Sequence, residues 1–95
     1  HLINVYLKHK NEKVCQQASL ELGKTLRSWF GERLLGPDKP AVARVKTMNI
    51  RKIVIKLENG IDQKKVREYL KYAQQMMAKD PRYGALQIYY DVDPQ

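Results

Sequence analysis

Three kinds of side chain here have the chemistry to react or to hold a metal: two histidines, one cysteine and ten carboxylates. Nucleophilic catalysis needs a thiol or hydroxyl beside an oriented base. His1 opens the chain and His9 lies between Lys8 and Lys10; neither has a serine or cysteine partner in the sequence. Cys15 is alone, so it forms no internal disulfide and no zinc site by itself. It falls where a helix begins to bury its inner face and reads as a core cysteine. Asp91 and Asp93 in YYDVDPQ are two residues apart and can face the same way at a strand end, with Glu58 and Asp62 as the other acidic groups able to join them. A magnesium site asks for more acidic ligands and a phosphate. The plainer reading is a turn at Asp93-Pro94 and an ion pair from Asp91 to a lysine or arginine. No Gly-x-x-x-x-Gly-Lys-Ser/Thr phosphate loop is present. The chain is therefore expected to carry no catalytic group, no metal site and no cofactor of its own.

The charge carries a different message. Eighteen basic residues against ten acidic ones leave a net +8. Such a balance points to an anionic partner, whether nucleic acid, acidic peptide or membrane surface, with a merely solvated basic surface as the alternative. No run of about 18 apolar residues spans a bilayer, and no secretory signal is visible. One unpaired cysteine suits a reducing compartment, and a cytoplasmic location is expected. Ninety-five residues make one domain, 1–95, too small for a deep active site between two domains. The strand pattern begins at once after His1, which reads as a piece of a longer protein.

The elements that position these residues follow from periodicity. Leu2–Leu7 alternates, with Ile3, Val5 and Leu7 on one side and Asn4, Tyr6 and Lys8 on the other, a half-buried strand. Asn11 caps a helix to about Phe30, whose apolar stripe runs through Val14, Cys15, Ala18, Leu22, Leu26, Trp29 and Phe30. Gly23 within it permits close packing on a sheet. Gly31 ends it, and Arg33–Leu35 reads as a short extended piece. Gly36, Pro37 and Pro40 read as a turn, Ala41–Thr47 as the second strand, and Met48-Asn49 as its hairpin connection. Ile50–Glu58 is the most regular strand: Arg51, Ile53, Ile55 and Leu57 share one face, Lys52, Val54 and Lys56 the other. Asp62 caps a second helix, with Ile61 and Val66 as a hydrophobic staple, and Lys79-Asp80-Pro81 stops it. Leu86–Val92 is the last strand. The order β-α-β-β-α-β predicts an α+β two-layer sandwich, a mixed or antiparallel sheet with both helices on one face.

On that layout one sheet face is bare and basic. Lys8, Lys52 and Lys56 point outward with Tyr6 and Tyr89, joined by Arg44 and Lys46 if Val45 points inward. Cations for phosphates and rings for bases make a surface for single-stranded nucleic acid; docking of another domain and simple solvation are the competing readings. Gly36, Pro37 and Pro40 would fix the angle at which Arg44 is presented, unless Arg44 pairs with Asp38 or Asp91. Lys64, Arg67 and Lys71 form a separate row on the second helix, at three- and four-residue steps. Cations beside apolar side chains suit an acidic, partly hydrophobic peptide tail, with a simply solvated helix face as the alternative that spacing leaves open.

The run RLLGPDKPAVARV (Arg33–Val45), the strand RKIVIKL (Arg51–Leu57), the ending YYDVDPQ and the opening HLINVYLKHKNE together resemble the C-terminal domain of PriA-type replication-restart helicases (primosomal protein N′). The resemblance covers nearly the whole chain, and its tyrosine-rich ending is more like the Bacteroidetes branch. It implies a fold like ribosomal protein S10 and a bacterial, cytoplasmic, ATP-driven DNA helicase as parent. ATP, magnesium and zinc would be bound in other parts of that parent, since the ATPase motifs and zinc-binding cysteines are absent here. It implies contact with DNA, with the parent's other domains and with the acidic tail of single-stranded DNA-binding protein. A basic residue on the last helix would hold that tail: Arg67 is the match, with Lys71 one turn on as a helper.

Overall fold

The computed structural model describes residues 1–93. The end of the YYDVDPQ run, and with it the expected turn at Asp93-Pro94, lies outside the described residues. The elements are β1 (Leu2–His9), α1 (Glu12–Phe30), β2 (Leu34–Asp38), β3 (Arg44–Val45), β4 (Met48–Lys56), α2 (Gln63–Ala78) and β5 (Gln87–Val92), with single 3-10 turns at Gly31–Arg33 and Pro81–Tyr83. The sheet order is β2-β4-β1-β5, with β3 also paired to β4. Every pairing is antiparallel. Both helices pack on the sheet, giving the expected α+β two-layer sandwich.

The helix ends are set by side chains. Asn11 Oδ1 accepts from the Val14 amide at 3.1 Å, and Asp62 Oδ1 accepts from the amides of Lys64 and Lys65 at 3.0 and 3.4 Å. Each satisfies a donor that a helix start leaves unpaired. Gly31, at φ 57°, ends α1 in a conformation that disfavours other residues. The stripe of α1 is buried at Cys15, Ala18, Leu22, Leu26 and Phe30, that of α2 at Val66, Leu70, Ala73 and Met77. They meet Ile3, Val5 and Leu7 of β1 and Ile53 and Ile55 of β4 in one core. Full burial of each large aliphatic side chain contributes about 1.5–3 kcal/mol.

The second strand is not the expected one. Leu34–Asp38 forms the sheet edge, pairing Leu34 with Ile55 and Leu35 with Val54, and Ala41–Thr47 contributes only the two-residue β3. The hairpin turn is Lys46-Thr47, with Arg44 opposite Asn49 and Val45 opposite Met48; Met48-Asn49 is therefore the start of β4. Lys46 takes φ 55°, a turn conformation signalled by no glycine. Gly36 and Pro37 lie inside β2. A proline is tolerated there because an edge strand has one side without ladder partners. Gly23 and Pro37 meet closely: a Cβ on Gly23 would stand 3.2 Å from Pro37 Cδ. Arg27 adds a hydrogen bond to the Gly36 carbonyl at 2.9 Å.

Gly36 sits where the β2–β4 register shifts, at φ 94°, and a Cβ there would lie 2.9 Å from the Lys52 carbonyl oxygen. Both backbone angle and space demand glycine. Gly36→Ala is expected to destabilise the fold by about 2 kcal/mol or more, seen as a lower urea midpoint with helical circular dichroism retained in buffer.

Candidate functional site

The period-two alternation of β4 sorts its side chains. Asn49, Arg51, Ile53 and Ile55 turn to the helices and are buried, while Lys52 and Val54 are half-covered and Lys56 is exposed on the other side. Lys52 and Lys56 are thus clear of the helices. The register then builds the bare face in rows. Tyr6 stands opposite Lys52 on one side and Tyr89 on the other; Lys8 stands opposite Ile50 and Gln87. Lys8 Nζ lies 5.1 Å from the Tyr89 ring centre and Lys52 Nζ 5.9 Å from that of Tyr6, within the range of cation–π attraction.

The bare face is not flat. Residues 40–42 (Pro40, Ala41, Val42) fold over one end of it, leaving Ile50 only 6% exposed. A cleft of about 460 Å³ results, lined by these three residues with Ile50, Lys52, Tyr6, Lys8 and Tyr89. Four of the seven expected contact residues thus meet at one place. Lys56 does not: the row Val54–Asn4–Asp91 separates it from the cleft. Arg44 and Lys46 do not either. Val45 is 44% exposed and pairs with Met48, so Arg44 shares the side of Asn49, not that of Lys52. Among the described residues Arg44 makes no ion pair with Asp38 or Asp91. Of the Gly36–Pro40 segment only Pro40 lines the cleft, and the segment does not aim Arg44 into it.

A second concavity, about 530 Å³, opens between α2 and the β1–β5 edge. Its floor is apolar: Ile3, Leu57, Val66, Leu70 and Val92. Arg67 and Lys71 stand on its rim, both exposed, and neither makes an ion pair among the described residues. Lys64 does not line it, and Gln63 occupies the lining at that end. Tyr90 closes another part, its hydroxyl donating to Gln74 Oε1 at 2.8 Å. Burial pushes the Tyr90 phenol up to about 12. His1 Nδ1 lies 3.0 Å from Asp93 Oδ2, and Asp93 Oδ1 accepts from the Leu2 amide at 3.0 Å. Asp93 is committed to the β1 start, while Asp91 faces the bare side opposite Asn4, so the two do not form a shared ligand pair.

Sequence reasoning passed over Arg51. Its side chain is 3% exposed on the helix side of the sheet, with Nε donating to Gln16 Oε1 at 2.7 Å and Nη1 to the Ile50 carbonyl at 2.9 Å. Glu12 lies 3.9 Å away. An arginine in the apolar phase of a strand was the available signal. Cys15 is fully buried, its thiol directed at the carbonyls of Leu7 and Asn49, and burial raises its pKa. It offers no donor set for zinc, and among the described residues no group of three or more His, Cys, Asp or Glu side chains converges. No helix among them is long and apolar enough to cross a membrane.

No protein-family model matches the chain, and no curated protein matches it.

Tyr83 is also buried, and burial with Glu21 nearby pushes it up to about 12. Folding holds both phenols protonated, whereas an unfolded chain releases such protons near pH 10. This stabilisation is present below about pH 10 and is lost as pH rises toward 12. An absorbance titration of tyrosinate is expected to show two late ionisations, Tyr90→Phe removing one and Tyr83→Phe the other.

Proposed function

We propose that this domain is a non-catalytic binding module of a PriA-type replication-restart helicase, and that its α2 groove holds an acidic, partly apolar peptide. The placement of Arg67 and Lys71 carries this reading. Two exposed cations without ion-pair partners among the described residues flank an apolar floor, so carboxylates and apolar side chains of one extended peptide are met together. The acidic tail of single-stranded DNA-binding protein is a ligand of that chemistry. Lys64 drops out of the tail-binding set.

The basic, tyrosine-bearing cleft supports a second role on the opposite face, contact with DNA. The net +8 serves both surfaces: phosphates and carboxylates are each attracted from a distance and each released by salt. ATP hydrolysis, with its magnesium and zinc, belongs to other parts of such a parent. The cytoplasm of a bacterium is the compartment in which that parent works, and docking against the parent's helicase lobes is the further use open to either surface.

The two sites are separable by mutation. Fluorescence anisotropy at low salt should show the Arg67→Ala/Lys71→Ala variant losing about tenfold or more in affinity for an acidic peptide ending in apolar residues, with oligonucleotide binding nearly unchanged. Lys8→Ala/Lys52→Ala should do the reverse. Equal losses of both ligands in both variants would sink the two-site reading, and a wild-type domain indifferent to both in dilute buffer would sink the function.

A further inference from the structure

We infer that the cleft on the bare sheet face is a slot for one unpaired base of single-stranded nucleic acid, read by shape and stacking and not by base identity. This rests on the nucleic-acid reading of that face and adds to it the part of the ligand that enters.

The floor is aromatic. Tyr6 and Tyr89 are directly opposite on neighbouring strands and both line the cleft, within reach of one ligand laid across the two strands. Their hydroxyls already have partners: Tyr89 Oη donates to Gln87 Oε1 at 2.7 Å, and Asn4 Nδ2 donates to Tyr6 Oη at 3.3 Å. Each hydroxyl is tied to a residue two positions away on its own strand, and the ring faces are what any base can stack on. The wall is apolar. Pro40, Ala41 and Val42 border Ile50 and give the sheet face a shallow, open cleft of about 460 Å³. A cation needs no such wall; a flat hydrophobic ring leaving water does.

The cations are placed for the backbone of the same nucleotide. Lys8 and Lys52 border the slot from β1 and β4, with their ammonium groups over the tyrosine rings. An incoming base takes over the ring face, and each flexible lysine swings to a flanking phosphate. Each exposed cation–π contact given up is weaker than base stacking on an aromatic side chain, and the lysine regains an ion pair with phosphate. Asp38, paired in register with Lys52, and Asp91, one row beyond Tyr89, repel phosphates on two sides. The strand is thereby steered past the Lys8 end. Duplex bases are already stacked on each other and do not reach the slot.

The test uses the 95-residue chain and two labelled probes of equal length: a thymidine homo-oligonucleotide and an abasic deoxyribose-phosphate strand. Fluorescence anisotropy at low salt should give the base-bearing strand about tenfold or more tighter binding, with similar salt slopes for both. Tyr89→Ala should lower the thymidine strand to the abasic level and leave the abasic strand alone. Tyr89→Trp should keep the preference, with its added emission quenched only by the base-bearing strand, which guards against misreading an unfolded alanine variant. Equal affinity for both probes overturns the slot and leaves a polyanion patch. Failure to bind either probe overturns the nucleic-acid reading of the face, and the slot with it.

Discussion

The antiparallel pairing of β1 with β4 is the constraint from which the rest follows. Eight residues of each strand are in register, Leu2 opposite Lys56 through His9 opposite Asn49. Both strands alternate, so the pairing stacks Ile3, Val5 and Leu7 against Ile55, Ile53 and Arg51 on one face. The opposite face receives Tyr6, Lys8 and Lys52. A slip of one residue would send the lysines into the core and the isoleucines into water. The helices have only one apolar surface to cover, and both cover it. The bare basic face is thus a by-product of the burial that stabilises the domain, and the cleft is that face closed at one end by a loop.

Arg51 fits this account as a compensated exception. Its guanidinium is in the apolar layer, where an unpaired charge is costly. Gln16 and the Ile50 carbonyl take its hydrogen bonds, and Glu12 lies at the edge. Asn49, also buried, donates to the carbonyls of His9 and Lys10 at 3.1 and 2.8 Å. Both polar residues knit the start of β4 to the β1–α1 connection, so this end of the layer is held by directional bonds as well as packing.

Much of this was legible in the residues. The two helices, their caps at Asn11 and Asp62, the first and last strands and the two faces of β4 follow from period and capping chemistry. The second strand was hidden because Gly36 and Pro37 are the commonest punctuation of turns, and at a sheet edge they are tolerated within a strand. That misplacement moved Arg44 and Lys46 onto the wrong side of the sheet. The hairpin turn was hidden too: Lys46 adopts a positive φ without the glycine or asparagine that usually advertises one. The row Lys64, Arg67 and Lys71 was readable as a helix face, but the groove beside it was not. It depends on how far α2 stands off β5, and periodicity carries no information on that distance.

The sheet has two unlike borders. Along β2 the ladder is broken by the register shift at Gly36 and by Pro37, which has no amide hydrogen to offer a neighbour. Along β5 the sequence Gln87–Val92 runs regularly, and among the described residues its outer side pairs with nothing. Lateral growth of the sheet is therefore one-directional: an extended segment from another chain can be annexed beside β5, while the β2 side is sterile. The charged Asp91 in the middle of β5 is the main brake on such annexation.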